Sequence, residues 1–109
     1  VTQPIVIGHI NTDKAATANT PLVAADYKSG TLPVIPGGGA RTVNVTVVYS
    51  AAAKISAIIA GTARKLNADA ALVANSVYGF SFQLTGNDSI NFQFDTNGNV
   101  NYLLVTVDD

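Results

Sequence analysis

No cysteine, methionine, tryptophan or glutamate occurs among the 109 residues. Without Cys there is no disulfide, no thiol nucleophile and no thiolate metal site, although missing bridges fix no compartment. Without Glu, acidity falls to seven Asp, and a good helix former is gone. Charge is scarce as well. Charged residues make up 12% of the chain, about half the usual share of a soluble domain. There are six Lys or Arg, only Arg64 and Lys65 are adjacent, and the net charge is −1. That leaves no basic patch to track a phosphate backbone, so nucleic acid is not an expected partner. No run approaches the ~20 apolar residues of a membrane span. With Val1 first and no Met, the expectation is a chain that was processed or lost its initiator, with no signal peptide in view.

What remains is 48% hydrophobic, enough for one ordinary core, and the expectation is a single domain over 1–109. Its polar residues are mostly Thr, Ser, Asn and Gly, which suit strands and turns. "VTQPIVIGHI" (1–10) reads as an N-terminal β arm, with Ile5 and Ile7 on one face and Pro4 marking a strand start. Short strands are expected around "TPLVAADY" and "GTLPVI", followed by a flexible Gly37-Gly38-Gly39 loop. From residue 42 the alternation is clean. "TVNVTVVY" turns Val43, Val45, Val47 and Tyr49 to one side. "VYGFSFQL" does the same with Tyr78, Phe80, Phe82 and Leu84, and "SINFQFD" with Ile90, Phe92 and Phe94. "TGND" reads as a turn and "TNGN" as a hairpin turn, since Asn-Gly accepts positive φ cheaply. "VNYLLVTV" is apolar on both faces, as in a strand buried on two sides or one that meets another subunit.

The stretch "KISAIIAGTARKL" (54–66) admits two readings. As a helix it has a stripe of Ile55, Ile58, Ile59, Thr62 and Leu66, but Gly61 costs ~1 kcal/mol in its middle. As a hairpin it lines up Ile55, Ala57 and Ile59 and turns at Gly61-Thr62 in a type II′ turn. The surrounding strands favour the hairpin, with a helix over 52–66 as the alternative.

Candidate chemistry is thin. His9 is the one histidine, and the nearest approach to a nucleophile motif, "GFSFQ", ends in Gln83 and puts Ser81 mid-strand rather than on an elbow. Asp95, Asn97 and Asn99 match the first three ligand positions of a calcium loop, but Val100 and Thr106 stand where Gly and Glu are needed. "PGGGAR" lacks the Lys-Ser/Thr of a phosphate loop and reads as a connector, with Arg41 as a surface cation. One His and no Cys make a zinc site unfavourable. The triplets at Asn44 and Asn87 fit the glycosylation pattern. Tyr27, Tyr49, Tyr78 and Tyr102 suggest a sugar platform, but Tyr49, Tyr78 and Tyr102 fall in phase with core positions. No catalytic, cofactor or metal residue is assigned.

The C-terminal half, "VNVTVVYSAAAKISAIIAGTARKLN" followed by "YGFSFQLTGNDSINFQFDTNGNVNYLLVTV", resembles small β-sandwich structural proteins of tailed phages and related viruses. The likeness covers about residues 42–107 and is one of strand pattern. The Gly86–Phe92 turn-strand, with Asn87 inserted, and the last strand Val100–Val105 carry it. It implies a jelly-roll-like antiparallel β-sandwich, all-β and of about eight strands. It also implies a non-enzymatic module that decorates or builds a particle, usually as a homotrimer. The expected partners are therefore copies of itself and other capsid subunits, and the expected location is a virion surface or extracellular. Candidate self-association residues are Ile5, Ile7, Leu103, Val105 and Val107. The alternatives are an extracellular filament subunit assembled by N-terminal strand addition and a carbohydrate-binding module.

Overall fold

The structure, a computed structural model, describes residues 4–11, 13–36, 39–84 and 89–108. Its strands are β1 (Pro4–Ile10), β2 (Lys14–Ala16), β3 (Arg41–Tyr49), β4 (Ile55–Ile59), β5 (Thr62–Lys65), β6 (Val77–Leu84), β7 (Ile90–Phe94) and β8 (Gly98–Asp108). They pair as one long hairpin rolled up on itself. At the tip, β4 pairs with β5. Next outward, β3 pairs with β6. Then residues 19–34 run antiparallel to β7, through Asn19 N–H to Phe94 O, Leu22 N–H to Phe92 O and Ile90 N–H to Pro33 O. The outermost pair is β1 with β8. Successive pairs fall alternately into two sheets, of order β1-β8-β3-β6, with β2 also on β8, and β5-β4-β7. This is the jelly-roll arrangement of an all-β sandwich, and it excludes a helix over 52–66.

One core lies between the sheets. The larger sheet supplies Val43, Val45, Val47, Leu103, Val105 and Val107, and the smaller supplies Ile55, Ala57, Ile90, Phe92 and Phe94, all at most 1% exposed. Tyr49 of β3 stacks on Phe94 of β7 across the gap, with ring centroids 3.8 Å apart and planes 5° apart. Its hydroxyl donates to Thr96 O at 2.7 Å. Burial, and then the Asp95 carboxylate, push its pKa upward.

The segment expected to hold two strands holds none of regular form. A 3₁₀ turn at Ala24–Asp26, with Asp26 Oδ2 accepting the Val23 N–H, replaces the first. The second is reduced to a Val34–Ser89 bridge. Pro21 and Pro33 have no N–H to give a ladder. The segment nevertheless fills the fourth lane of the smaller sheet and buries Leu22, Tyr27 and Ile35. Tyr27 donates to Asn91 Oδ1 at 2.7 Å, and Asn91 Nδ2 donates to Leu22 O at 2.6 Å. This link satisfies a buried amide and ties the lane to β7. Lys28 N–H also reaches His9 O on β1. The side of the sandwich between β1 and β7 is thereby closed, whereas β5 and β6 carry no comparable cover among the described residues.

"TNGN" is not a hairpin turn. It carries the chain from β7 in one sheet to β8 in the other, and Asn97 does not take positive φ. Gly98 fits for another reason, since a side chain there would press on the stacked Tyr49 ring. A Cβ there would lie 3.0 Å from the Tyr49 ring. The "TGND" turn, the Asn87 triplet, and Gly37 and Gly38 lie outside the described residues.

The hairpin at 54–66 is present, but its turn sits one residue earlier than expected. Ile59 pairs with Thr62, so Ala60 and Gly61 form the loop. Both take positive φ, at 50° and 83°, as in a type I′ turn. Gly61 accepts this freely. Ala60 is exposed and bears a left-handed cost of roughly 1–2 kcal/mol. Ala60→Asn is therefore expected to raise the melting temperature by about 3–6 °C, read by thermal denaturation. An unchanged or lower value would contradict the turn assignment.

Candidate functional site

The residues considered for catalysis are not brought together. His9 lies on β1 and Ser81 on β6, opposite edges of the larger sheet. Three strand steps separate them, about 14 Å. Ser81 Oγ bonds Asn44 Oδ1 at 2.9 Å, and the His9 ring packs edge-on against Tyr102 at 5.6 Å.

Asp95, Asn97 and Asn99 each take a structural partner. Asp95 Oδ1 accepts the Lys54 N–H at 2.7 Å and the Thr96 hydroxyl at 3.2 Å. Asn97 Oδ1 accepts the Ala18 N–H at 2.7 Å, and the Asn99 N–H donates to Ser50 Oγ. Together they clamp the β7–β8 crossing to β4 and to the chain after β2. Arg41 is less peripheral than expected. It is half-buried, and its guanidinium donates to Pro36 O and Asp108 O. Among the described residues no three His, Cys, Asp or Glu side chains gather as a metal site, and no helix is long and apolar enough to cross a membrane.

The tyrosines do not form a platform. Tyr27 and Tyr49 are buried, and the Tyr78 hydroxyl accepts the Val73 N–H at 2.9 Å. Tyr102 is out of phase with the core, contrary to the sequence reading. It lies opposite Val48 on the outward face of the larger sheet.

The candidate self-association residues divide. Ile5 is 41% exposed and Ile7 half-buried on the edge strand β1. Leu103, Val105 and Val107 are completely buried within this chain, which corrects their expected place at a subunit interface. Strand β8 is central, paired with β1 and β2 on one side and β3 on the other. These three side chains therefore fill the protomer's own core. The second apolar face of β8 is the one bearing Tyr102 and Leu104.

That outward face is the most distinctive surface. Strand register arranges it in rows. One row is Val77, Val48 and Tyr102. The next is Gly79, Thr46, Leu104 and His9. A third is Ser81, Asn44, Thr106 and Val6. None of these positions holds Asp, Lys or Arg. Sequence reading missed the face because its Thr, Asn and Ser residues look like ordinary solvated positions. The signal lay in the absence of Asp, Lys and Arg from these rows on four strands at once, up to Asp108 at the end of β8.

The Asp95 clamp has a pH signature. Chiefly through the Lys54 N–H, and against some desolvation, its carboxyl is held below its ordinary pKa. A depressed folded pKa contributes stability above the unfolded pKa, about 3.9, and that contribution is lost as pH falls through the folded value. Asp95→Asn keeps the acceptor but not the charge. It is expected to be less stable than wild type in urea at neutral pH, with the gap closing below the carboxylate range. A gap independent of pH would refute the clamp's ionic character. No family model and no curated protein matches the chain.

Proposed function

We propose that the protein is a non-enzymatic structural module of a virion surface, self-associating as a capsid-decoration or spike component. The observation that carries this reading is the outward face of the larger sheet, whose three central rows hold no Asp, Lys or Arg and meet their first charge at Asp108, at one end of β8. Solvated sheet faces are usually dressed with Lys, Glu and Asp, and charged residues are depleted at the centres of interfaces. Here Val77 is 72% and Val6 58% exposed, with Val48, Tyr102 and Leu104 between them. A face carrying no charge meets its own copy without repulsion. It measures roughly 400 Å² from strand spacing and rise, less than the ~800 Å² per partner of a standard interface. Association is therefore expected in an assembly where each copy meets more than one neighbour. The jelly-roll order of the strands also supports the resemblance to phage structural modules.

Val6→Asp combined with Val77→Asp tests the face, because both side chains are exposed and the fold does not need them. Wild type is expected to sediment as a homo-oligomer. The double variant should associate at least about tenfold more weakly with an unchanged melting temperature. A wild-type monomer up to about 1 mM would overturn the reading.

The edge position of β1 favours a second reading, a filament subunit that exchanges its N-terminal strand. Deleting residues 1–10 separates the two. In the first reading the deletion uncovers one edge of β8 and removes the buried Ile10, so the domain is expected to unfold, as seen by circular dichroism. A folded, non-polymerising product would favour the filament instead.

A further inference from the structure

Between the free edges of β5 and β6 the sandwich is open, and the opening is a groove of about 580 Å³. Its floor includes Ile59, Leu66, Phe80 and Phe82. These side chains pack against the core yet stay only partly buried. Strand β6 pairs with β3 over eight positions without a bulge. It contains no charge and no proline. An edge of this kind, long, regular and unguarded, is a template for an added strand, and proteins normally protect such edges.

The opposite wall is different. Strand β5 is exposed throughout and carries Arg64 and Lys65, both lining the groove. Arg64 lies opposite the buried Ala57, which puts it on the inner face of the hairpin. Among the described residues no Asp lines the groove and neither cation makes an ion pair, although the Lys65 charge is felt by the Asp95 carboxylate while that of Arg64 has no such neighbour. The rim also includes Asn67 and Ala68, which with Asp69 form three consecutive residues of positive φ. Such a costly local conformation is found where a surface must be held in a set shape.

We propose that this open side is an acceptor site for an extended peptide segment of a partner protein whose groove-facing positions, every second residue, carry apolar and acidic side chains. The segment adds to β6 through main-chain hydrogen bonds and sends every second side chain into the groove, where apolar ones meet Phe80 and Phe82 and a carboxylate meets Arg64. Strand addition supplies the geometry, and Arg64, on the inner face of the hairpin, selects the charge. A second copy of β6 is a poorer occupant. Two-fold pairing of β6 with β6 would bring Arg64 and Lys65 of both copies to the same side. The groove rests on its own geometry, apart from the outward face, so failure of either proposal leaves the other standing.

The test is selection of a displayed random-octapeptide library on the purified chain, followed by NMR titration with the best synthetic octapeptide. The selected sequences are expected to carry apolar residues together with Asp or Glu at every second position, on one face of the strand. The titration should shift the amides of Val77–Leu84 and Thr62–Lys65. Arg64→Glu with Lys65→Glu, both at exposed positions, should weaken binding at least about tenfold while circular dichroism stays unchanged. A peptide with Lys in place of its acidic residues should regain affinity for that variant. No enrichment, basic winners, shifts confined to other strands, or affinity indifferent to the charge reversal would each overturn the proposal. So would saturable binding of laurate in the groove that leaves the β6 amides unmoved, which would mark a site for an amphipathic anion.

Discussion

Strand β8 must be buried on both edges and on its inner face, and the other elements are arranged to satisfy it. Its edges are taken by β3 on one side and by β1 and β2 on the other. Its inner face, Leu103, Val105 and Val107, meets no solvent. Unpaired backbone groups at such a depth would each cost roughly 1–3 kcal/mol, so the N-terminal segment cannot be dispensable decoration. A strand held on three sides presents its fourth side rigidly. That side carries Tyr102 and Leu104, and the charge-free face is built outward from them.

Alternation made β3, β6 and β7 legible, down to the inward identity of Val43, Phe92 and their neighbours. It was silent on which sheet each strand joins, because both inner faces share the same period of two. For that reason Asn97-Gly98 read as a hairpin turn when it is a crossing between sheets, and Leu103 to Val107 read as surplus apolar surface. The turn at the tip was misplaced by one residue because Ala60 gives no sign that it will accept positive φ. The lane over 19–34 was unreadable for a different reason. Its hydrogen bonds are few and its direction is set by β7, so nothing local in the Pro-containing sequence specifies it. Neither surface proposed to function was visible as a motif. One is an absence of charge from rows spread over four strands, and the other is a gap between two edges.

The two sides of the sandwich show how unevenly cover is distributed. Residues 19–34 close one side with a buried tyrosine–asparagine link and a run of main-chain bonds. The other side is left with partly covered phenylalanines facing a cationic strand. One closed and one open side give the domain a polarity that its pseudo-symmetric strand order lacks. Any partner entering between the sheets has one direction from which to come.

The rolled-hairpin pairing has a consequence for biosynthesis. Ile5 lies opposite Val107, so the first strand made waits for the last. At about 5–20 residues per second, nearly the whole chain leaves the ribosome before β1 finds its partner, an interval of roughly 5–20 s. The tip at Ala60-Gly61 can close early and locally, while the outermost pair must close a loop of nearly the full chain length. Throughout that interval β1 is a free apolar strand. On a polysome, where nascent copies sit side by side, the β8 it meets first need not be its own.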